Sequence, residues 1–391
     1  MKLKKEYIII FIIMVTEVLG FSLILPFLPF YAQKFGATPF TIGLIFASFS
    51  LFQFISAPIM GKLSDSFGRK PLLIFSQFST FIGYIVLGFS NTLWMIFLSR
   101  IIDGLLGSNF TIAQAYISDI SSKKDRTKAL GLSGAAFGFG FLIGPGIGGY
   151  LASFNYSLPA FLAAGFSFLT IVLTYFFLPE TITKRENLKL NMKIFEFDHY
   201  GKYFSKKKLF KKFLIFFSYV LNHSIFVSNW ALFAERQLSF GTTEVGFTLT
   251  YIGFISIFIR TVLLSKMIDK LGENKLQLFG LISAFLGTFS MGFIDTTWLF
   301  VISITFFAFG SGISRPALLG SISREGSVKE QGLLMGITGS IMSFSQIIGP
   351  LIGGYLLNNF FPGTIGLVGS FILMCGIILL LSSKKNLANK I

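Results

Sequence analysis

Five groups of residues in this chain have side chains able to move a proton, hold a charge or let helices meet closely. Each stands in or beside a long apolar run. Glu17 lies in the run Glu17-Val18-Leu19-Gly20, upstream of Pro26-Phe27-Leu28-Pro29. A carboxyl in apolar surroundings is costly as a bare charge. Glu17 is therefore either a group that takes up and releases a proton or a structural carboxyl bonded to backbone and hydroxyl groups. In Arg100-Ile101-Ile102-Asp103-Gly104 two charges stand three residues apart. A charge near mid-membrane costs roughly 2.5–3.5 kcal/mol on the insertion scale, so it faces a cavity and has a partner. Asp103 is either the counter-ion of Arg100 at i+3 spacing or a second protonation site.

The third group is the stretch Gly61-Lys62-Leu63-Ser64-Asp65-Ser66-Phe67-Gly68-Arg69-Lys70, wedged between two apolar runs. Gly61 and Gly68 permit a tight turn and close helix approach. Asp65, Arg69 and Lys70 supply opposite charges, and Asp119, ending the fourth run, is a partner for Arg69. The fourth group is Gly131, Gly140, Gly144-Pro145 and Gly148-Gly149. Small residues let helices touch, and proline opens the backbone. In the fifth, Tyr219, Asn222, His223, Phe226, Asn229, Trp230 and Phe233 share one broad face at helical spacing. Aromatic and amide groups together suit an amphiphilic aromatic ligand, and an imidazole ordinarily titrates near neutral pH. Packing between helices is the other reading of that face. Gln346 is a further polar candidate for a cavity wall.

The elements that must position these residues follow from composition. Of 391 residues, 53% are hydrophobic and 13% charged, about half the charge of a soluble domain. Twelve apolar runs reach the roughly 20 residues needed to cross a bilayer: near 7–30, 40–60, 71–89, 92–117, 130–152, 158–178, 211–234, 244–264, 275–293, 297–318, 332–357 and 361–382. The first run is too long for a signal-peptide core and has no small-residue cleavage site, so it is expected to remain as a span. The net charge of +16 would point to nucleic acid in a soluble protein, but its placement argues against that. Of 33 Lys and Arg, 28 fall in the tails and the loops after even-numbered spans. Lys34 and Arg236 lie opposite, and Arg100, Arg260 and Arg315 lie within spans. This is the positive-inside pattern, which predicts a multi-pass cell (inner) membrane protein with both termini cytoplasmic. The basic run 202–212 is expected to be a solvated juxtamembrane segment near anionic lipid.

One cysteine, Cys375, and two distant histidines, His199 and His223, offer no zinc site. No P-loop or dinucleotide fingerprint is present, and no nucleophile–base set for an intramembrane enzyme. The expectation is a protein that is not an enzyme and needs no cofactor or metal.

The charged turn has a partial copy, Ser265-Lys266-Met267-Ile268-Asp269-Lys270-Leu271-Gly272, 204 positions on. Gly144-Pro145-Gly146-Ile147-Gly148-Gly149-Tyr150-Leu151 returns as Gly349-Pro350-Leu351-Ile352-Gly353-Gly354-Tyr355-Leu356 at offset 205. Two copies at nearly one offset imply same-direction six-span repeats. The expected organisation is an N-terminal six-helix bundle over 1–180, a cytoplasmic linker over 181–210 and a C-terminal six-helix bundle over 211–391. The bundles would be related by a pseudo-twofold axis.

On these motifs the chain resembles the major facilitator superfamily, and within it the twelve-span drug:proton antiporters that include bacterial tetracycline and multidrug efflux pumps. The resemblance covers essentially the whole chain. It implies an all-α fold of twelve transmembrane helices working as a proton-coupled exporter of hydrophobic or amphiphilic drugs by alternating access, driven by the proton gradient. Partners would be a small amphiphilic substrate, protons and lipid, with no nucleic acid, and the chain would act as a monomer. It further implies that Asp65 faces the start of span 11 and latches the outward-open state, that the span 5 glycine pattern marks export, and that Arg100 is tied to proton transfer. Tetracycline pumps carry an acidic residue at the place of Glu17. They also use acids in spans 3 and 9, which this chain lacks, with Asp295 only at the outer end of span 9. The second copy of the turn has Glu273-Asn274 where the basic pair would stand, which weakens its latch. Open alternatives are a transporter of a metabolite, sugar, siderophore or lipid, or a non-transporting membrane sensor.

Overall fold

Hydrocarbon offers backbone N–H and C=O groups no water to bind, so apolar runs of this length must satisfy them internally as helices. In the computed structural model, residues 5–121, 126–182, 203–327 and 330–388 are described, and they are helical with no strand. Twelve helices are long and apolar enough to cross a membrane: Lys5–Ile24, Pro39–Phe67, Arg69–Gly88, Leu93–Ile120, Leu132–Phe154, Ser157–Phe177, Lys207–Leu238, Thr242–Leu271, Glu273–Phe293, Thr297–Ser323, Gln331–Asn359 and Thr364–Ser382. They are numbered spans 1–12. Large apolar side chains such as Phe75, Phe78, Phe168, Phe254 and Phe371 project outward, as a lipid-facing surface requires.

Three spans depart from the expected continuous helices. The first apolar run does not stay helical to residue 30. Span 1 ends at Ile24, and after a turn a short helix, Leu28–Gln33, follows. Pro26 and Pro29 flank this break, and neither can donate a backbone hydrogen bond. Span 4 is two segments, Leu93–Leu106 and Asn109–Ile120. At the break the Gly107 N–H still reaches the Asp103 carbonyl at 2.8 Å, while the Ser108 N–H turns to the Ser76 hydroxyl at 2.7 Å. Span 8 contains one π-helical turn, Ile259–Leu263.

The chain divides into two compact units, neither of them continuous in sequence. The first holds residues 1–38, 48–194 and 240–250, and the second 39–47, 195–239 and 251–391. In the first, Ile10, Met14, Leu73, Ile112 and Tyr116 form one core. In the second, Phe213, Phe216, Leu281, Ile322 and Leu334 form another, and a smaller cluster centres on Ile259, Leu276 and Ile313.

Most of the expected linker, including His199 and Lys202, lies outside the described residues. The described part of the basic run does not simply float in solvent. Lys212 donates to Glu325 at 2.6 Å and to the Ser321 carbonyl at 2.7 Å, and Lys208 pairs with Glu325 at 3.1 Å. Burial of Glu325 favours its neutral form, but the two ammonium groups outweigh this and hold the carboxyl below its ordinary range. Just before span 11, Glu330 accepts from the Ser327 N–H and hydroxyl and from the Tyr203 hydroxyl. These bonds, the backbone one foremost, hold its carboxyl at about 2.

Candidate functional site

In the first unit the intramembrane charges lie along one line of polar groups. The span 4 break starts a new helical segment at Asn109, and its Nδ2 donates to Glu17 Oε2 at 2.8 Å and to Thr80 Oγ1 at 3.0 Å. Thr80 Oγ1 and Asp103 Oδ1 both lie against Gly107. Asp103 accepts from Arg100 Nη1 at 3.3 Å. Arg100 stacks over the Tyr84 ring at 5.4 Å, with Nε to Ser99 Oγ at 3.3 Å. Arg100, Asp103, Asn109 and Thr80 are almost fully buried, while Glu17 is partly exposed. Spans 1, 3 and 4 therefore link two carboxyls through an amide and a hydroxyl, with a guanidinium at the far end.

The sequence motifs named Glu17, Arg100 and Asp103 but missed Asn109 and Thr80. A polar residue at membrane depth in spans 3 and 4 was the available signal. The break that aims Asn109 was not legible, because Gly107-Ser108 is an ordinary pair in a membrane helix.

The charged turn is tightly built. Gly68 takes φ +109°, which side chains rarely adopt. The copy repeats the requirement with Gly272 at +70°. Arg69, nearly buried, pairs with Asp65 and donates through Nε to Asp119 at 2.9 Å and through Nη1 to Ser64 Oγ at 2.5 Å. Glu180, which sequence reasoning did not single out, accepts from the backbone N–H groups of Arg69 and Lys70 at 3.0 and 3.1 Å. It caps the first turn of span 3, where a carboxylate meets the positive end of the helix. Lys70 donates to the Tyr175 carbonyl. Gly61 faces open space.

The span 5 glycines lie against span 1. Gly140 faces Val18 and the Leu19 backbone, Gly144 faces Ser22, and Gly148 faces the Leu23 carbonyl. Ser22 Oγ donates to the Gly140 carbonyl at 2.9 Å. The other side of the motif meets the start of span 8, with Gly149 at Thr242 and Pro145 at Gly246. In the second unit Gly349 and Gly353 face Ser224 and Asn229 of span 7, and Pro350 and Gly354 meet Gly43 and Pro39 of span 2. Gly131 is helical, one residue before the start of span 5.

The seven residues expected on one face of span 7 part company. Phe226 packs on Phe307 at 4.1 Å and on Trp230, which stacks on Phe300 at 5.0 Å; these rings and Phe233 are buried. Asn229 gives its amide to the Ile225 carbonyl and Ser228 Oγ. Asn222 faces Gly369 of span 12. His223, partly exposed, lies between Tyr219 and Phe307. Gln346 is exposed on span 11. Seven residues are too many for one wall, so span 7 is held on several sides at once. A cavity of about 620 Å³ in the first unit, lined by Phe30, Lys34, Asn155, Tyr156, Thr242 and Glu244 among others, includes none of the predicted site residues. Among the described residues no cluster of His, Cys, Asp and Glu is arranged to hold a metal.

Comparison with known proteins agrees along the whole chain. The sequence profile of the Major Facilitator Superfamily matches residues 10–323 and 213–390. A tetracycline resistance protein, class B, of Escherichia coli is 32% identical, covering 94% of this chain and 93% of that protein. Tetracycline resistance protein, class H, of Pasteurella multocida is 31% identical over 95% and 94%. Multidrug resistance protein 2 of Bacillus subtilis is 30% identical over 96% of each. Among solved structures, a nucleoside transporter superposes with a TM-score of 0.81 at 13% identity, covering 97% of this chain and 99% of that one. The human organic anion transporter MFSD10 gives 0.72 at 21%, covering 96% and 100%. At these identities the structures speak to the fold alone.

Proposed function

Because the chain belongs to the Major Facilitator Superfamily, we propose that it is a proton-coupled exporter of hydrophobic or amphiphilic drugs working by alternating access. The relatives named for tetracycline and multidrug resistance support the drug class. The observation that carries the proton coupling is the line of polar groups from Glu17 through Asn109 and Thr80 to Asp103 and Arg100. Glu17 is the proton carrier. Its partial exposure gives it access to water, and Asn109 holds it without neutralising it. Asp103, ion-paired with Arg100, tunes that carrier. A proton on Glu17 changes the charge of a nearly dry network, and a charge change at such depth is large enough to bias a conformational equilibrium.

The remaining assignments complete the reading. The protein sits in the cytoplasmic membrane with both termini inside, acts as a monomer, and uses the proton gradient with no bound cofactor. The turn centred on Arg69 and Asp119 stabilises one conformation of the transporter. His223, with the exposed Gln346, belongs to the surface that substrate reaches, while Phe226, Asn229 and Trp230 support it. Span 3 holds no acid and span 9 only Glu273, at its first residue, unlike the acids within these spans of tetracycline pumps, which favours a broader amphiphilic substrate over tetracycline.

The test is pH-gradient-driven uptake of fluorescent cationic, neutral and anionic drugs into inside-out vesicles. Wild type should accumulate at least one of them. Glu17→Gln should abolish gradient-driven uptake while keeping exchange of labelled for unlabelled drug. Gradient-driven uptake by Glu17→Gln at the wild-type rate would exclude Glu17 as carrier. No uptake of any drug by wild type would turn the reading to a metabolite or lipid substrate.

A further inference from the structure

The proton line accounts for the charges of the first unit and leaves two arginines in the second. Arg260 is in span 8 and Arg315 in span 10. Both are well inside their helices, whereas the acids of spans 7–12 stand within a turn or so of helix ends: Glu235, Glu244, Asp269 and Glu273. A cation at membrane depth costs several kcal/mol unless something compensates it, and a second cation close by raises that cost.

The two are close. Gly312 of span 10 receives Ile259 of span 8 against its backbone. This seats the residue before Arg260 beside the turn that carries Arg315. The fields of both guanidiniums reach each other, the Tyr219 hydroxyl and the His223 ring of span 7. Arg315 Nη2 approaches Met342 Sδ of span 11 at 3.6 Å. Arg260 Nε is buried and makes no hydrogen bond. Ser311, one helical turn before Arg315 on the same face, is nearly buried, and its hydroxyl is also without a partner. The Tyr219 hydroxyl reaches the Ser311 carbonyl at 3.3 Å.

Backbone geometry points the same way. Arg260 stands in the π-helical turn Ile259–Leu263, and Pro316 follows Arg315 inside its helix. A π turn in an α-helix frequently marks a functional position. Irregular backbone at membrane depth is tolerated only where protein buries it or where it lines a water-filled cavity. The partial exposure of both arginines fits the cavity case.

We infer that Arg260, Arg315 and the Ser311 hydroxyl form an anion subsite that takes the carboxylate, or an equivalent acid group, of the transported amphiphile. The inference rests on the exporter reading and narrows its substrate class to amphiphiles with an acid group. Two guanidiniums and a hydroxyl present several N–H and O–H donors, which matches the acceptor oxygens of a carboxylate. His223 beside them, partly exposed, offers its ring to the ring system that carries the acid.

The test uses wild type and variants purified in nanodiscs of neutral lipid. The probes are dansyl-phenylalanine, an anion at neutral pH, and its uncharged primary amide, with Kd read by fluorescence polarisation. The wild type should bind the acid at least about tenfold tighter than the amide. Arg260→Gln and Arg315→Gln should each close most of that gap, and Arg260→Lys, which keeps the charge, should retain part of it. Equal binding of acid and amide by wild type overturns the inference, as does a gap that survives both Gln substitutions. Size-exclusion profiles matching wild type ensure that a closed gap is not unfolding. Gradient-driven uptake of the amide into vesicles reports separately on export. If it occurs while the acid shows no advantage, the exporter stands and the anion subsite falls.

Discussion

Arg69 is the side chain whose removal should be felt most widely in the charged turn. Arg69→Ala deletes three contacts at once. The bond to Asp119 at 2.9 Å is charge-assisted, and such bonds contribute about 1.5–3 kcal/mol. The bond to Ser64 Oγ contributes about 1 kcal/mol, because Ser64 keeps its own bond to the Gly61 carbonyl. The Asp65 pair adds little: that carboxylate is 45% exposed, and exposed pairs give about 0–1 kcal/mol. Asp119, 27% exposed, recovers some hydration, so the net cost is about 2–4 kcal/mol. At about 2–4 °C per kcal/mol for a unit near 200 residues, the apparent Tm should fall by about 5–15 °C. The readout is the loss of the monodisperse size-exclusion peak on heating. Arg69→Lys, a single ammonium in place of a planar fork, should lose about half as much. In a double-mutant cycle, Asp119→Asn should add little to Arg69→Ala. A Tm for Arg69→Ala within about 2 °C of wild type, or strict additivity in the cycle, would refute this account of the turn.

Four further outcomes are expected. Trp230→Ala removes a buried ring stacked on Phe300 and packed at a tilt on Phe226 and should cost about 3–5 kcal/mol; a stable variant with altered drug preference would instead make Trp230 a ligand contact. Gly149→Val drives a side chain into the Thr242 carbonyl and should cut the yield of folded protein severely. Gly134→Ala, with open space around it, should be neutral or stabilising by up to about 1 kcal/mol, and both are read from the monodisperse peak on size exclusion. The Glu330 carboxyl, held at about 2 by Ser327 and Tyr203, contributes stability that is fully present above its ordinary value near 4.5 and is lost as pH falls toward 2. The Tm gap between wild type and Glu330→Gln should therefore be constant from pH 5 to 8 and shrink progressively below; a gap that widens on acidification would contradict the assigned bonds.

The spans were legible because hydropathy and length suffice to mark a membrane helix, and Gly68 and Gly272 were legible because a positive φ calls for glycine. Glu17, Arg100 and Asp103 stood out because charge in an apolar run is conspicuous. What stayed hidden depended on partners distant in sequence. Asn109 reads as a routine polar residue until the span 4 break aims it at Glu17. Glu180 looks like the start of the linker until it caps Arg69 and Lys70. The span 7 face was legible only as a shared side, with packing and cavity lining both open. Helical periodicity shows which residues share a side, but not that neighbouring spans crowd Phe226, Trp230, Asn229 and Asn222 from different directions.

The division of the chain has a consequence for severed polypeptides. A nick anywhere in 183–202 would yield two fragments, and each would hold a piece the other needs: residues 240–250 belong with the first unit and 39–47 with the second. These pieces include Gly246, seated at Pro145, and Gly43, seated at Pro350. Either fragment expressed alone would present an unfilled glycine seat to lipid and be a target for membrane proteases. Expressed together, the two would protect each other and co-purify with no covalent link.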